Sequence, residues 1–354
     1  MKEDRYIRQL ILKGFGETSQ QKLRSAKVLV IGAGGLGCPA LQYLTAAGIG
    51  VIGIADDDII ALTNLHRQIL YHMDDIGKLK VIVAAEKLSA INPEVKIIPY
   101  PVRITKNNVG ILNDFDYVLD GTDNFTSRYV INDACVAFDK PLIFAAVSAY
   151  EGQVAIFNVP GTGGMRTNYR DLFPMPPDSG EVPNCAENGV IGVLPGIIGT
   201  MQAAELIKLI TGIGTPLVNK LLNYNLLLQE LYEIEITPSY AKKIIVHNDD
   251  DIVHIEGKKL RELLNLKSTL LIDVREPHEV PKIDKVISRQ VPISTFDSFL
   301  QQDILEDNII LICQHGIRSV TAAERLKTKY GSAKNIFSLK GGIVKWIDYI
   351  NNRI

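Results

Sequence analysis

Gly32, Gly34 and Gly37 fall in the spacing GxGxxG, between an apolar run at 27–31 and a helix-like stretch at 38–47. Glycines in that spacing let the chain turn tightly and bring backbone N–H groups up to a phosphate at a helix N-terminus. Gly35 lies inside the same Gly-Ala-Gly-Gly-Leu-Gly loop. Asp56 ends the next apolar run, 24 residues after Gly32, where a carboxylate can accept from ribose hydroxyls. This spacing alone serves a nicotinamide enzyme as well as an ATP enzyme, and a plain strand-to-helix turn carries it too. The residues that follow separate the readings. Asp58, Asn64, Arg67 and Gln68 come in quick succession, and Lys80 stands near the start of a helical pattern. Arginine and lysine offer charge-assisted donors to phosphate oxygens, which hydride transfer does not need. Asp123 follows a fourth strand-like run and is a carboxylate where Mg²⁺ would be held beside those phosphates. Singly, each of these reads as a solvated charge or a cap; in this order they point to ATP.

A second reactive group is the loop Cys313-Gln314-His315-Gly316-Ile317-Arg318-Ser319, between an apolar run at 308–312 and a helical pattern. Loop N–H groups and a helix N-terminus favour a thiolate there. Gly316 permits the cramped backbone, and Arg318 either holds the loop or meets an anionic substrate. Cysteine phosphatases need Cys-x5-Arg to wrap a tetrahedral phosphate. This loop is Cys-x4-Arg, a tighter cradle that suits a persulfide sulfur. With Asp273-Val274-Arg275-Glu276-Pro277 upstream and Gly341-Gly342-Ile343 and Trp346 downstream, residues 250–354 resemble a rhodanese-type sulfurtransferase. The His-Ile-Pro-Gly-Ala segment usual in that family is replaced by Ile283-Asp284-Lys285-Val286-Ile287, so a different local structure is expected there. An inactive fold kept for docking is the alternative, and the presence of Cys313 argues against it.

These residues need elements to hold them. Strand-like runs at 27–31, 50–55, 95–100, 117–120 and 141–146 alternate with helical patterns at 38–47 and 78–91. That alternation predicts an α/β fold, a mostly parallel sheet covered on both faces. A β pattern at 153–159, a Pro- and Gly-rich loop at 160–184, a helix at 195–211 and a last strand at 232–236 complete a domain over residues 1–237. A linker is expected at 238–250. A small α/β domain follows at 251–354, with strands at 269–274 and 308–313 and helices at 319–329 and 343–350. At about 105 residues it is of ordinary domain size.

Composition narrows the partners. A formal net charge of -2 over 354 residues implies no basic surface, so nucleic acid is not expected. No apolar run of about 18 residues is seen, so no membrane span is expected. The start Met1-Lys2-Glu3-Asp4-Arg5 has no apolar segment of the signal-peptide kind. Cys38, Cys135, Cys185 and Cys313 form no CxxC pair, so a reduced, cytoplasmic setting is expected, with no disulfide framework. Cys38 and Cys135 fall in apolar helical patterns and read as core. His66 and His72 read as structural.

Residues 1 to about 236 resemble the MoeB/ThiF family, bacterial relatives of ubiquitin-activating enzymes. The resemblance rests on Arg5-Tyr6-Ile7-Arg8-Gln9, the 32–37 loop, Asp56 and Asp58, Asn64-Leu65-His66-Arg67-Gln68, Asp120-Gly121-Thr122-Asp123-Asn124 and Cys185-Ala186-Glu187. It implies ATP-dependent adenylation of the C-terminal glycine of a small ubiquitin-like sulfur carrier. Arg67 and Lys80 would grip the phosphates, Asp123 would hold Mg²⁺, and Asp56 would bind ribose. Arg8 would reach into the partner's site across a homodimer. Cys185 would sit on a mobile loop and take part in transfer from the acyl-adenylate, although a small buried thiol is the simpler reading of that residue. The family's two zinc-binding CxxC pairs are not matched. Asn168 and Asp171 stand at the first pair, and the second has no counterpart between 234 and 244, so no structural zinc is expected. With a sulfur donor such as a cysteine desulfurase loading Cys313, the product would be a carrier thiocarboxylate for molybdopterin, thiamine or tRNA thiolation. Rivals are an NAD-dependent oxidoreductase with a redox-sensing tail and a non-catalytic nucleotide-binding scaffold.

Overall fold

The computed structural model describes residues 5–176, 189–238, 252–284, 287–314 and 316–351. The chain divides into two compact units, residues 1–246 and 247–354. In the first, two N-terminal helices, α1 (Ile7–Leu10) and α2 (Gly16–Ser25), precede β1 (Lys27–Ile31), α3 (Gly37–Ala47), β2 (Val51–Ala55), α4 (Lys80–Ile91), β3 (Lys96–Tyr100) and β4 (Tyr117–Asp120). Then come α5 (Phe125–Ala137), β5 (Leu142–Ser148), β6 (Glu151–Phe157), α6 (Tyr169–Leu172), α7 (Val193–Thr211), β7 (Lys220–Asn225) and β8 (Glu230–Glu235). The sheet runs β3-β2-β1-β4-β5-β6-β7-β8. It is parallel from β3 to β5 and antiparallel from β5 to β8.

Strand β1 shows why both faces need cover. Val28 and Val30 join one apolar cluster with α3, α4 and α7, whereas Leu29 and Ile31 join another with α5. Period-two alternation of apolar side chains on both faces makes the near-continuous apolar run that reads as a buried parallel strand.

Several elements differ from expectation. Helix α5, a strand pair β7–β8 in place of one last strand, and α2 are additional to the elements read from the pattern. Strand β8 is an edge and is exposed along its length, so it shows little of the burial pattern that periodicity detects. Helix α7 is long and apolar enough, by length and composition, to cross a membrane. In this fold it packs on α3, β5 and β6 and buries Leu194, Ile198, Leu206 and Ile210. Its Gln202 is fully buried and its amide donates to the carbonyls of Asp120 (2.7 Å) and Ile143 (2.8 Å), bridging β4 and β5.

Inside the stretch expected to be a loop, α6 is a single short turn with its own cap. The Asn168 side chain accepts from the Arg170 N–H at 2.9 Å, and Asp171 accepts from the Asn168 N–H at 2.7 Å and its amide at 2.9 Å. Asn168 and Asp171, expected at the place of the family's first zinc-binding pair, thus form a reciprocal helix cap, an arrangement worth about 1 kcal/mol.

The N-terminal segment is pinned by Tyr6, which is 3 % exposed. Its hydroxyl accepts from the Asn92 amide (2.8 Å) and donates to Glu94 (3.2 Å). The ring lies against Gly48, which ends α3 in the left-handed region (φ +86°); a Cβ there would meet the ring and hydroxyl at 2.6 Å.

The second unit is a five-stranded parallel sheet, β11-β10-β12-β13-β9. Its elements are β9 (Val253–Ile255), α8 (Gly257–Leu264), β10 (Thr269–Asp273), β11 (Arg289–Gln290), α9 (Phe296–Phe299), β12 (Asn308–Ile312), α10 (Ile317–Tyr330), β13 (Asn335–Leu339) and α11 (Gly342–Asn351). Ile309 and Leu311 face one apolar cluster, and Ile310 and Ile312 the other. The segment read as divergent includes residues 285–286, which lie outside the described residues.

Candidate functional site

In the first unit a cleft of about 430 Å³ opens at the C-terminal ends of β1, β2 and β4. Strand order reverses there, the usual ligand position in an open α/β sheet. Gly32 has φ +97°, and a Cβ on it would lie 2.8 Å from the Gly121 carbonyl oxygen. A Cβ on Gly37 would fall 1.9 Å from the Gly32 oxygen. These two glycines are therefore demanded by the turn. Gly34 and Gly35 line the cleft, and a Cβ on Gly34 would be 3.6 Å from the Gln68 amide nitrogen. Gln68 is buried, with its carbonyl oxygen unpaired, which leaves an acceptor in the cradle for a ligand donor.

Asp56 directly follows β2 and is clamped to the loop. It accepts from the Ala33 N–H (2.7 Å) and the Asp58 N–H (2.8 Å). Burial pushes its carboxyl up, against the pull of Lys80 and these two N–H groups. Lys80 is 4 % exposed and holds Asp58 at 2.8 Å, so this cation is already oriented in the cleft. Arg67 donates to the Thr63 carbonyl (3.0 Å) and lies 2.7 Å from His66 Nε2. Asp123 is exposed and lines the same cleft. Its turn is held from beneath by Asp120, which accepts from the Thr122 N–H (2.9 Å) and hydroxyl (2.7 Å). Burial pushes the Asp120 carboxyl up, with Arg128 opposing. Arg128 itself donates to the Thr122 carbonyl at 3.1 Å and stacks over Phe125 and Phe144.

Not every expected residue lies there. Asn64 accepts from the Ala61 N–H at 3.0 Å, so it caps the turn carrying Arg67 and is absent from the cleft lining. Arg8 is exposed on α1, away from the cleft of its own chain. Cys185 lies outside the described residues. His66 read as structural, but it lines the cleft beside Arg67. Thr63, Arg103, Ile104, Val147 and Pro195 also line it. No motif flags them; only Arg103 left a signal, a charge just beyond β3, and it pairs with Asp57 at 3.3 Å. Each carboxylate of the Asp56–Asp57–Asp58 run is thus engaged by an N–H or a cation.

In the second unit Cys313 directly follows β12 and is 1 % exposed. Its sulfur accepts from the Gly316 N–H at 3.1 Å and lies 3.5 Å from the Ser319 hydroxyl. Gly316 has φ +94°, and a Cβ there would be 3.0 Å from the Gly341 nitrogen. The Ile343 N–H donates to the Cys313 carbonyl at 2.8 Å, so the Gly341–Gly342–Ile343 segment seats the loop. Arg275 is fully buried and donates to both oxygens of Asp273, with its remaining arm on Gln314 at 3.1 Å. Arg318 forms a two-armed pair with Glu279. In this arrangement it ties the loop to the 276–279 segment. His315 and the side chain of Ile317 lie outside what is described. Burial pushes Cys38 up to about 12 and Cys135 well above its usual range, so neither is a ready nucleophile.

Comparison with known proteins adds to this geometry. The ThiF family model matches residues 6–243, and the rhodanese-like domain model matches residues 256–349. A Thermus thermophilus "sulfur carrier protein adenylyltransferase" is 50% identical over 226 residues, covering 63% of this chain and 83% of its own. The "probable adenylyltransferase/sulfurtransferase MoeZ" of Mycobacterium tuberculosis is 38% identical, covering 97% of this chain and 92% of its own. The crystal structure of E. coli MccB with ATP superposes with a TM-score of 0.59 at 24% identity, covering 69% of this chain and 75% of that one, a likeness of fold.

Proposed function

The chain belongs to the ThiF family and carries a rhodanese-like domain behind it, and on that premise we propose a division of labour between its two units. The protein is an adenylyltransferase and sulfurtransferase that uses ATP and acts on a ubiquitin-like sulfur carrier. One observation carries the first step: Arg67, Lys80 and Asp123 converge on a single cleft with the open Gly34 cradle. A carrier carboxylate oxygen attacks the α-phosphorus of ATP, and the bond to pyrophosphate breaks. Charge grows on the phosphate oxygens, where Arg67 and Lys80 stabilise it. No general base is required, because a carboxylate is ionised at neutral pH. Asp123 fits a divalent cation, being an exposed carboxylate in the same cleft as Arg67 and Lys80; Mg²⁺ bound there would neutralise phosphate charge. The nicotinamide reading leaves Arg67 and Lys80 without a task.

Cys313 takes sulfane sulfur as a persulfide from a donor such as a cysteine desulfurase. The persulfide attacks the acyl-adenylate carbonyl and AMP leaves. A second thiol, for which we retain Cys185, attacks the Cys313 sulfur, frees the carrier thiocarboxylate and leaves a disulfide for a cellular thiol to reduce. The thiocarboxylate would serve molybdopterin, thiamine or tRNA thiolation. We further propose a cytoplasmic homodimer in which Arg8 completes the partner's cleft; the exposure of Arg8 supports this.

ATP–pyrophosphate exchange with each candidate carrier in turn tests the adenylation step, and folded protein giving exchange with none of them refutes it. We also propose that structural zinc is absent. The support is the Asn168–Asp171 cap, in which Asn168 Oδ1 and Asp171 Oδ2 already accept from N–H donors. Elemental analysis is expected to find zinc well below one equivalent, and one equivalent surviving chelator treatment contradicts the proposal.

A further inference from the structure

We propose that Glu279 sets the donor preference of the Cys313 loop: by occupying both terminal nitrogens of Arg318 it withholds that cation from a dianion such as thiosulfate and leaves the thiol matched to a persulfide donor. The inference rests on the reading of Cys313 as sulfur acceptor. Both arms of Arg318 reach Glu279 at 2.7 Å, and these are the paired donors that an oxyanion would require. Glu279 also accepts from the Glu276 N–H at 2.6 Å, which ties it to the segment behind β10. The two side chains are 10% and 15% exposed, so water screens them little. Burial pushes the Glu279 carboxyl up, but hydrogen bonds from Arg318 and the Glu276 N–H, with the Arg318 and Arg275 charges, outweigh it and hold the group below its ordinary range. At neutral pH Glu279 therefore carries its charge beside the Arg318 guanidinium. Arg275 is matched in the same way by Asp273. Each arginine reaching the loop has its own carboxylate, so the pair of ion pairs adds no net positive charge.

The two donors ask different things of such a loop. With thiosulfate, the Cys313 thiolate attacks the outer sulfur, the S–S bond breaks, and its electron pair leaves on sulfite. A dianion must approach a thiolate, and a dianion departs. With a persulfide R–S–SH, the thiolate attacks the outer sulfur and R–S⁻ departs, so the reacting group enters neutral and leaves with a single negative charge. Only the first case needs a free cation.

The test uses the full-length protein, cyanide as sulfur acceptor, and thiosulfate or glutathione persulfide as donor. Glu279→Gln is expected to lower the KM for thiosulfate relative to that for persulfide by roughly tenfold, the worth of a hydrogen bond to a charged group. The double variant Glu279→Gln/Arg318→Gln is expected to lose this gain. Equal changes for both donors in Glu279→Gln would overturn the proposal. If Glu279→Gln misfolds, the wild type still decides: sulfate is expected to leave persulfide turnover unaffected, and strong competitive inhibition by sulfate overturns the idea. A wild type that takes sulfur from neither donor sinks the parent reading, and the inference with it, before Glu279 is tested.

Discussion

Arg67→Ala is expected to lower carrier-dependent ATP–pyrophosphate exchange by about a hundredfold to a thousandfold, the ~3–4 kcal/mol that one preorganised donor is worth at developing charge. The size follows from how the guanidinium is held. Arg67 stands on a short turn capped by Asn64, and its arm is fixed by the Thr63 carbonyl and His66. Little reorganisation is needed when the α-phosphate charge grows. Lys80 starts from a different state, because Asp58 already holds its charge. A fall of less than about threefold in folded Arg67→Ala protein would remove this residue from the transition state.

The second large effect concerns sulfur. Cys313→Ser is expected to remove protein-bound sulfane sulfur and thiocarboxylate product to below detection, read by cyanolysis and by the mass of the carrier. Serine keeps the shape and can accept from the same Gly316 N–H, so the loop should survive. A hydroxyl has no persulfide chemistry. Cys38 and Cys135 are poor substitutes, since burial pushes the ionisation of both upward. Wild-type levels of sulfane sulfur in the Cys313→Ser protein would show that another thiol is the acceptor. Exchange assayed on the same preparation reports whether the adenylation domain is folded.

Both reaction centres were legible because they sit where strands end. At such points a glycine, a carboxylate or a cysteine interrupts an apolar run, and Gly32, Asp56, Asp120 and Cys313 each do so. The cleft walls were not legible. Ile104, Val147 and Pro195 reach the cleft from distant segments, and as apolar side chains they look the same whether they face a core or a ligand. Asn64 shows the converse. It stands inside a motif associated with nucleotide binding, but its carbonyl oxygen is spent on a turn N–H. Spacing shows that a residue is required without showing for what. Arg318 was ambiguous for a related reason: Glu279 lies 39 residues away, and only folding brings the two carboxylate oxygens onto its fork.

The seat of Tyr6 on Gly48 carries a consequence for inheritance. Gly48 is tied twice, by its left-handed φ and by a ring that leaves no space for a methyl group. The ring is in turn held through its hydroxyl by Asn92 and Glu94. Any side chain at 48 evicts the ring, and a small residue at 6 opens a hole above the glycine and strips Asn92 of a partner. The two sites, 42 residues apart in the chain, can drift only as a linked pair. Arg8, two residues from that pivot, depends on the linkage for its position, so variation at the end of α3 would register 40 residues earlier in the chain.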